Sequence, residues 1–263
     1  LDIDVSFNRF KIKAFEPFLD AFISNLEGTT SGEVEVRGSV KKPIITGSAN
    51  MQRTGMRVLY TNTKYSFSNS IDFVENRIKF DKLEIFDTLG NHAQIDGSLD
   101  YTNLSDPKFD VKISTPGLLF FNTSEHMNDL FYGSAIASGN IKMTGNPRDV
   151  DLSINVKTQK GTSVVLPLNY SVEISDKDYI IFTKKDVDTI SENQLIELTT
   201  NNSKDELKYN LDVNLEVTPI AEVGITLPND MGTIQARGKS NLSIGVNSDG
   251  KFSLIGDYIV QDG

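Results

Sequence analysis

LKYNLDVNLEV, residues 207–217, sets Leu207, Tyr209, Leu211, Val213, Leu215 and Val217 in strict alternation with Lys208, Asn210, Asp212, Asn214 and Glu216. A strand projects successive side chains to opposite faces. The stretch therefore predicts a strand that is apolar on one side and polar on the other, and alternation over eleven residues is a strong signal. Three destinations are open to the apolar face. It can form the core of a closed sandwich, the lipid side of a membrane barrel, or a surface that touches something other than protein.

The same period recurs along the chain. SVVLPLNYSVEI (163–174) places Val164, Leu166, Leu168, Tyr170, Val172 and Ile174 on one face. DVDLSINV (149–156) does so for Val150, Leu152, Ile154 and Val156, and KFDVKI (108–113) for Phe109, Val111 and Ile113. In RIKFDKLEIF (77–86) the phase slips at Asp81–Lys82, between Phe80 and Leu83, which suits a bulge or a turn. Turn residues separate the runs at Gly90–Asn91, Ser105–Asp106–Pro107, Gly145–Asn146–Pro147 and Ser248–Asp249–Gly250. Pro167 interrupts its run and predicts an edge or bulged strand.

Two stretches read as short amphipathic helices. In FEPFLDAFISNLEG (15–28), Phe15, Phe18, Leu19, Phe22, Ile23 and Leu26 follow helical spacing, with Pro17 near the start and Gly28 as a stop. In SEHMNDLFYG (124–133), Met127, Leu130 and Phe131 share a face.

Composition narrows the function. A chain of 263 residues, 38% of them hydrophobic, can bury a sizeable core as one large domain or two small ones. A net charge of −10 argues against nucleic acid and against an anionic membrane surface as partners. The lack of cysteine excludes disulfides, thiolate metal sites and a cysteine nucleophile, and is compatible with a bacterial periplasm. No apolar run approaches the length of a membrane-spanning helix. The chain starts at Leu1 without a signal-peptide pattern and stops at Gly263 just after a strand-like run, so it reads as a piece of a longer protein.

Catalytic patterns are not found. Of the two histidines, His92 lies in a strand-like stretch and His126 in the second expected helix; both read as structural. Ser124 and Glu125 adjoin His126, but adjacent helix positions do not face each other. Asp176 and Asp178 read as a solvated hairpin tip, and NSDGK (247–251) as a turn. The expectation is a non-enzyme with no catalytic residue, metal or cofactor.

A short pattern, Gly–x–apolar–x–apolar–x–Gly, occurs as GEVEVRG (32–38), GNIKMTG (139–145) and GTIQARG (232–238). Average composition predicts roughly 0.2 matches in such a chain. The first two copies run on to YSF (65–67) and YSV (170–172), which gives repeat elements near 26–67, 133–174 and 231–260. No linker-like composition separates them, so residues 1–263 read as one continuous β-repeat domain.

These elements resemble the TamB family, the large periplasmic component of the translocation and assembly module. LEGTTSGEVEVRGSVKKPIITGSANM (26–51) is similar to the family's recurring element of glycine, short strand, glycine, then proline and a further strand. DLFYGSAIASGNIKMTGNP (129–147) is similar to its second form, and GTIQARGKSNLSIGVNSDGKFSLIGDYIV (232–260) to the approach to its C-terminal region.

The resemblance implies an all-β fold: a long curved antiparallel repeat sheet forming a U-shaped apolar groove. It implies a periplasmic location within a protein anchored in the inner membrane of a Gram-negative cell. It also implies a TamA-like outer-membrane partner bound through regions outside this chain. The implied role is movement of phospholipid between membranes, or assembly of outer-membrane proteins.

On that basis the groove lining comprises Val34, Val36, Ile141, Met143, Leu152 and Ile154, then Leu166, Leu168 and Tyr170, then the apolar residues of 207–217. The helix bearing Phe18, Phe22 and Leu26 would cover the groove mouth. Met51, Met56 and Met143 are flexible fillers suited to acyl chains of varied length. A β-augmentation scaffold and a β-repeat adhesin are the alternatives, and free sheet edges would let copies associate edge to edge.

Overall fold

The alternating stretches form strands in the computed structural model, which describes residues 1–20, 23–40, 42–103, 106–127, 131–167, 208–227, 232–249 and 251–263. Eight strands follow one another as antiparallel neighbours: β1 (Asp2–Lys11), β2 (Ile23–Ser39), β3 (Lys42–Val58), β4 (Thr63–Val74), β5 (Arg77–Asp87), β6 (His92–Asp100), β7 (Lys108–Thr123) and β8 (Tyr132–Asn146). β9 (Asp149–Thr158), β10 (Ser163–Pro167), β11 (Lys208–Val217), β12 (Glu222–Thr226), β13 (Thr233–Asn247), β14 (Phe252–Ile255) and β15 (Tyr258–Asp262) complete the same sheet. The fold is all-β, and its form is consistent with a groove.

Strand pairing closes a circuit of six strands through β8, β10, β12, β13, β11 and β9. The register explains it. β9 and β10 lie along one edge of β8, and β11 and β12 along one edge of β13. Asp149 stands opposite Lys208 and Ser163 opposite Glu222, so the spacing is the same before and after the gap. These are two long strands, each interrupted at the same height, and the circuit surrounds the interruption. Threonines bridge it: the Thr218 N–H donates to Thr158 Oγ1 at 2.9 Å, and the Glu222 N–H to the Thr162 carbonyl at 3.0 Å.

The sheet is mixed, which corrects the expectation of antiparallel pairing throughout. β9 with β11, and β10 with β12, run parallel. Alternation records which face a residue takes but not the direction of its neighbour. Pro167 ends β10, which pairs on both sides and is not an edge; Pro167 stands beyond Tyr132, where the ladder to β8 stops.

The first expected helix is also corrected. A 3-10 helix spans Ile12–Phe18 only, and Ile23 to Leu26 already belong to β2. Asn25, at φ 55°, and Gly28 shift the register of β2. The irregularity at Asn25 inserts a residue in β2, so Ile23 and Leu26, three apart, take the same face although the chain is extended, and Leu26, Thr30 and Val34 keep the even spacing of a strand. The side chain of Phe18 and all of Phe22 lie outside the described residues. In the second expected helix, Glu125–Met127 form a turn closed by the Met127 N–H on the Ser124 carbonyl, and Tyr132 begins β8.

Curvature comes from bulges. The slip at Asp81–Lys82 is one of them, with Lys82 at φ 50°. Arg9 (φ 51°) and Arg53 (φ 50°) are its counterparts in β1 and β3. In each case the bulged N–H is satisfied from the adjacent strand, by Ser31 Oγ, Ser68 Oγ and Asp96 Oδ1 respectively for Arg9, Arg53 and Lys82. Bulges sharpen strand bending and twist, so three in alternate strands curl this half of the sheet.

The curl lets the sheet pack on itself. Leu83, Ile85, Ala93 and Leu118 form a buried cluster, with Phe67, Phe80 and Ile113 against it. Tyr65 Oη donates to the Leu119 carbonyl at 2.8 Å, and Asn62 Nδ2 to the Asn122 carbonyl at 2.7 Å, tying the β3–β4 turn and β4 to β7. The buried Asp87 carboxylate accepts from the N–H groups of Leu89, Asn91 and Leu119, which builds the Gly90–Asn91 turn.

A pH prediction arises at the end of β6. The Thr102 hydroxyl and backbone N–H, with Arg77, hold the Asp100 carboxyl at about 2. A depressed carboxyl contributes stability above its unfolded value and loses it as pH falls to the folded one. The difference in thermal midpoint between the native chain and Asp100→Asn is expected to be constant above about pH 5 and to shrink from pH 4 to pH 2.

Candidate functional site: a continuous apolar face

Directly paired residues of adjacent strands place their side chains on the same face. Following the pairs therefore traces that face across the molecule. One row runs from β1 to β11 through Val5, Val34, Gly47, Phe73, Ile78, Leu99, Phe109, Gly145, Val150 and Tyr209. A second runs from β5 to β13 through Leu83, Ile95, Ile113, Ile141, Ile154, Val213 and Ile244. A third contains Phe80, Gly97, Val111, Met143, Leu152, Leu211 and Val246. No polar residue interrupts any of the three.

The sequence-selected residues fall on this face where they are described. Val34, Ile141, Met143, Leu152, Ile154, Leu211, Val213 and Leu215 are half-buried, neither packed into a closed core nor fully in water. Val36 is half-buried between Ile3 and Ile45. Val217 is buried, Tyr209 is 41% exposed, and Leu166, paired with Ile225 beyond the interruption, is 42% exposed. Leu168, Tyr170 and Leu207 lie outside the described residues.

The opposite face is polar. Asn214 Nδ2 donates to Asn155 Oδ1 at 2.9 Å, and Ser243 Oγ to Asn214 Oδ1 at 3.2 Å. Ser114 Oγ donates to Asn140 Oδ1 at 2.8 Å, and Lys157 pairs with Glu216 at 2.8 Å.

In the N-terminal half the apolar face deepens into a cavity of about 720 Å³. Val5, Phe7 and Phe10 of β1, Leu26 and Val34 of β2, Ala49, Met51 and Met56 of β3, and Phe67, Ile71 and Phe73 of β4 line it. The segment after β1 adds Ile12, Phe15 and Leu19. Leu26 thus reaches the trough from a strand, and Phe15 from the 3-10 helix. Thr30 and Thr54 are the polar residues of the lining.

Val5, Phe7, Phe67, Ile71 and Phe73 join the lining beyond the residues selected from sequence. The signal was present: DIDVSF (2–7) and KYSFSNSIDFV (64–74) both alternate.

Fold and face define a class: an all-β protein whose sheet carries continuous apolar rows on one face, backed by a polar one. The family model of the TamB C-terminal domain matches residues 81–263, and the chain belongs to the TamB family, as its repeat elements implied. It is accordingly a TamB-like protein of bacterial envelope biogenesis. No curated protein and no solved structure gives a significant match. Among the described residues, no helix is long and apolar enough to cross a membrane.

Proposed function

We propose that the apolar face shields phospholipid acyl chains as they pass between the inner and outer membranes, with this chain as a periplasmic segment of an anchored protein. The observation that carries the reading is the set of apolar rows, the first of which crosses ten strands. Each CH₂ moved out of water is worth about 0.8 kcal/mol, so a sixteen-carbon chain resists leaving a bilayer by on the order of 10 kcal/mol. A predominantly apolar surface keeps that cost low along the path, while the head group stays in water. The role needs no catalytic step, metal or cofactor. A TamA-like partner would engage regions outside this chain.

Support of outer-membrane protein assembly is the second reading. It is favoured by β1, which among the described residues pairs on one side only and there offers an edge for strand addition or for association of two copies.

Photo-crosslinking in cells separates the two. A benzophenone side chain at Ile154 faces the apolar rows, and one at Asn155 faces the polar side of the same strand. The lipid reading expects phospholipid adducts at Ile154 and none at Asn155. Protein adducts at Ile154 without lipid would favour assembly, and lipid adducts in equal yield at both positions would overturn the conduit.

A further inference from the structure

We infer that Thr30 and Thr54 form a hydrogen-bonding station inside the trough that recognises the ester carbonyls of diacyl lipids. The inference rests on the lipid reading above and adds a ligand preference to it. Both residues line the 720 Å³ cavity, on the adjacent strands β2 and β3, among otherwise apolar side chains. Thr30 is 6% exposed and Thr54 2% exposed, and neither Oγ1 has a hydrogen-bond partner among the described residues.

Other buried threonines are treated differently. Thr63 Oγ1 lies 2.7 Å from Thr61 Oγ1, Thr115 Oγ1 donates to the His92 carbonyl at 2.6 Å, and Thr162 Oγ1 to the Ile136 carbonyl at 2.7 Å. Thr158 and Thr218 bond each other. The fold thus satisfies these hydroxyls, whereas Thr30 Oγ1 and Thr54 Oγ1 are buried beside the trough without a partner among the described residues, as is Tyr101 Oη elsewhere.

An unpaired buried hydroxyl costs about 1–3 kcal/mol, which valine, of the same shape, would avoid. Rotation about χ1 exchanges methyl and hydroxyl, so each Oγ1 can be turned to the cavity without moving the backbone. A ligand that fills this space must be apolar along its length and carry a hydrogen-bond acceptor. Hydroxyl donors meet a carbonyl acceptor, and an acyl ester supplies one on each chain. A dialkyl ether lipid has the same chains and head group but lacks the carbonyls.

The test compares binding of dipalmitoyl phosphatidylcholine, its dihexadecyl ether analogue and palmitate, each by displacement of a fluorescent acyl probe. The native chain is expected to bind the diester about fivefold more tightly than the diether. The Thr30→Val/Thr54→Val variant is expected to bind the two equally, with a thermal midpoint unchanged or raised. Equal binding of diester and diether by the native chain would overturn the station and leave the conduit standing. No binding of any of the three would remove both. Threonine-dependent binding of palmitate but not of the diester would assign the hydroxyls to a free carboxylate and overturn the ester preference. If the double variant does not fold, the native ester-to-ether ratio and the two single variants decide.

Discussion

Val213→Asp is expected to leave the chain folded and to stop lipid passage. Val213 sits at the middle of β11, between Ile154 of β9 and Ile244 of β13, in the longest aliphatic row of the C-terminal half. It is half-buried, so a carboxylate there keeps contact with water, and the cost to folding should be about 1–2 kcal/mol. An acyl chain sliding along the same row meets a charge with no partner. Val217, four residues on and only 3% exposed, is the control: Val217→Asp buries the charge and is expected to cost about 3–5 kcal/mol. Thermal unfolding of both variants, and lipid transport in cells carrying the same changes in the full-length protein, give the comparison. Collapse of Val213→Asp would mean that this face is a closed core. Normal folding with normal transport would remove β11 from the path.

Gly139→Ala is expected to cost at least about 3 kcal/mol, the largest stability effect of any single-methyl change proposed for this chain. Gly139 opens the GNIKMTG pattern and lies in β8 between Thr115 and Val156. Its φ is +145°, and a Cβ there would meet the Asn155 carbonyl oxygen of β9 at 2.1 Å. That atom belongs to a paired backbone and cannot move without opening the ladder. Gly90 gives the contrast, because at φ +83° in an open turn a Cβ meets nothing within 4 Å. Gly90→Ala is expected to cost only about 1 kcal/mol from backbone conformation. Urea unfolding midpoints of the two variants would separate contact from conformation. Equal midpoints would show that the repeated glycine serves the backbone angle alone.

Much of the fold is written locally. Strand identity, the turns at Gly90–Asn91 and Gly145–Pro147, the bulge at Lys82 and the glycine-bounded repeat all follow from neighbours in sequence, because side-chain period and turn chemistry act over a few residues. The face shared by Val34, Ile141, Ile154 and Val213 follows from alternation once the register is known. By itself the sequence determined an all-β repeat with one apolar side, and it carried the family resemblance. Tertiary structure alone decided three things. The helix expected at 15–26 became the end of a 3-10 helix, to Phe18, and the start of β2, from Ile23, because the bulge at Asn25 brings Ile23 and Leu26, three apart, to one face of an extended chain. The parallel pairing of β9 with β11 rests on backbone bonds between residues far apart in sequence, and alternation is blind to strand direction. The unpartnered hydroxyls of Thr30 and Thr54 emerge only when the curl of β1–β5 encloses them, since burial and hydrogen-bond satisfaction are properties of surroundings brought together by folding.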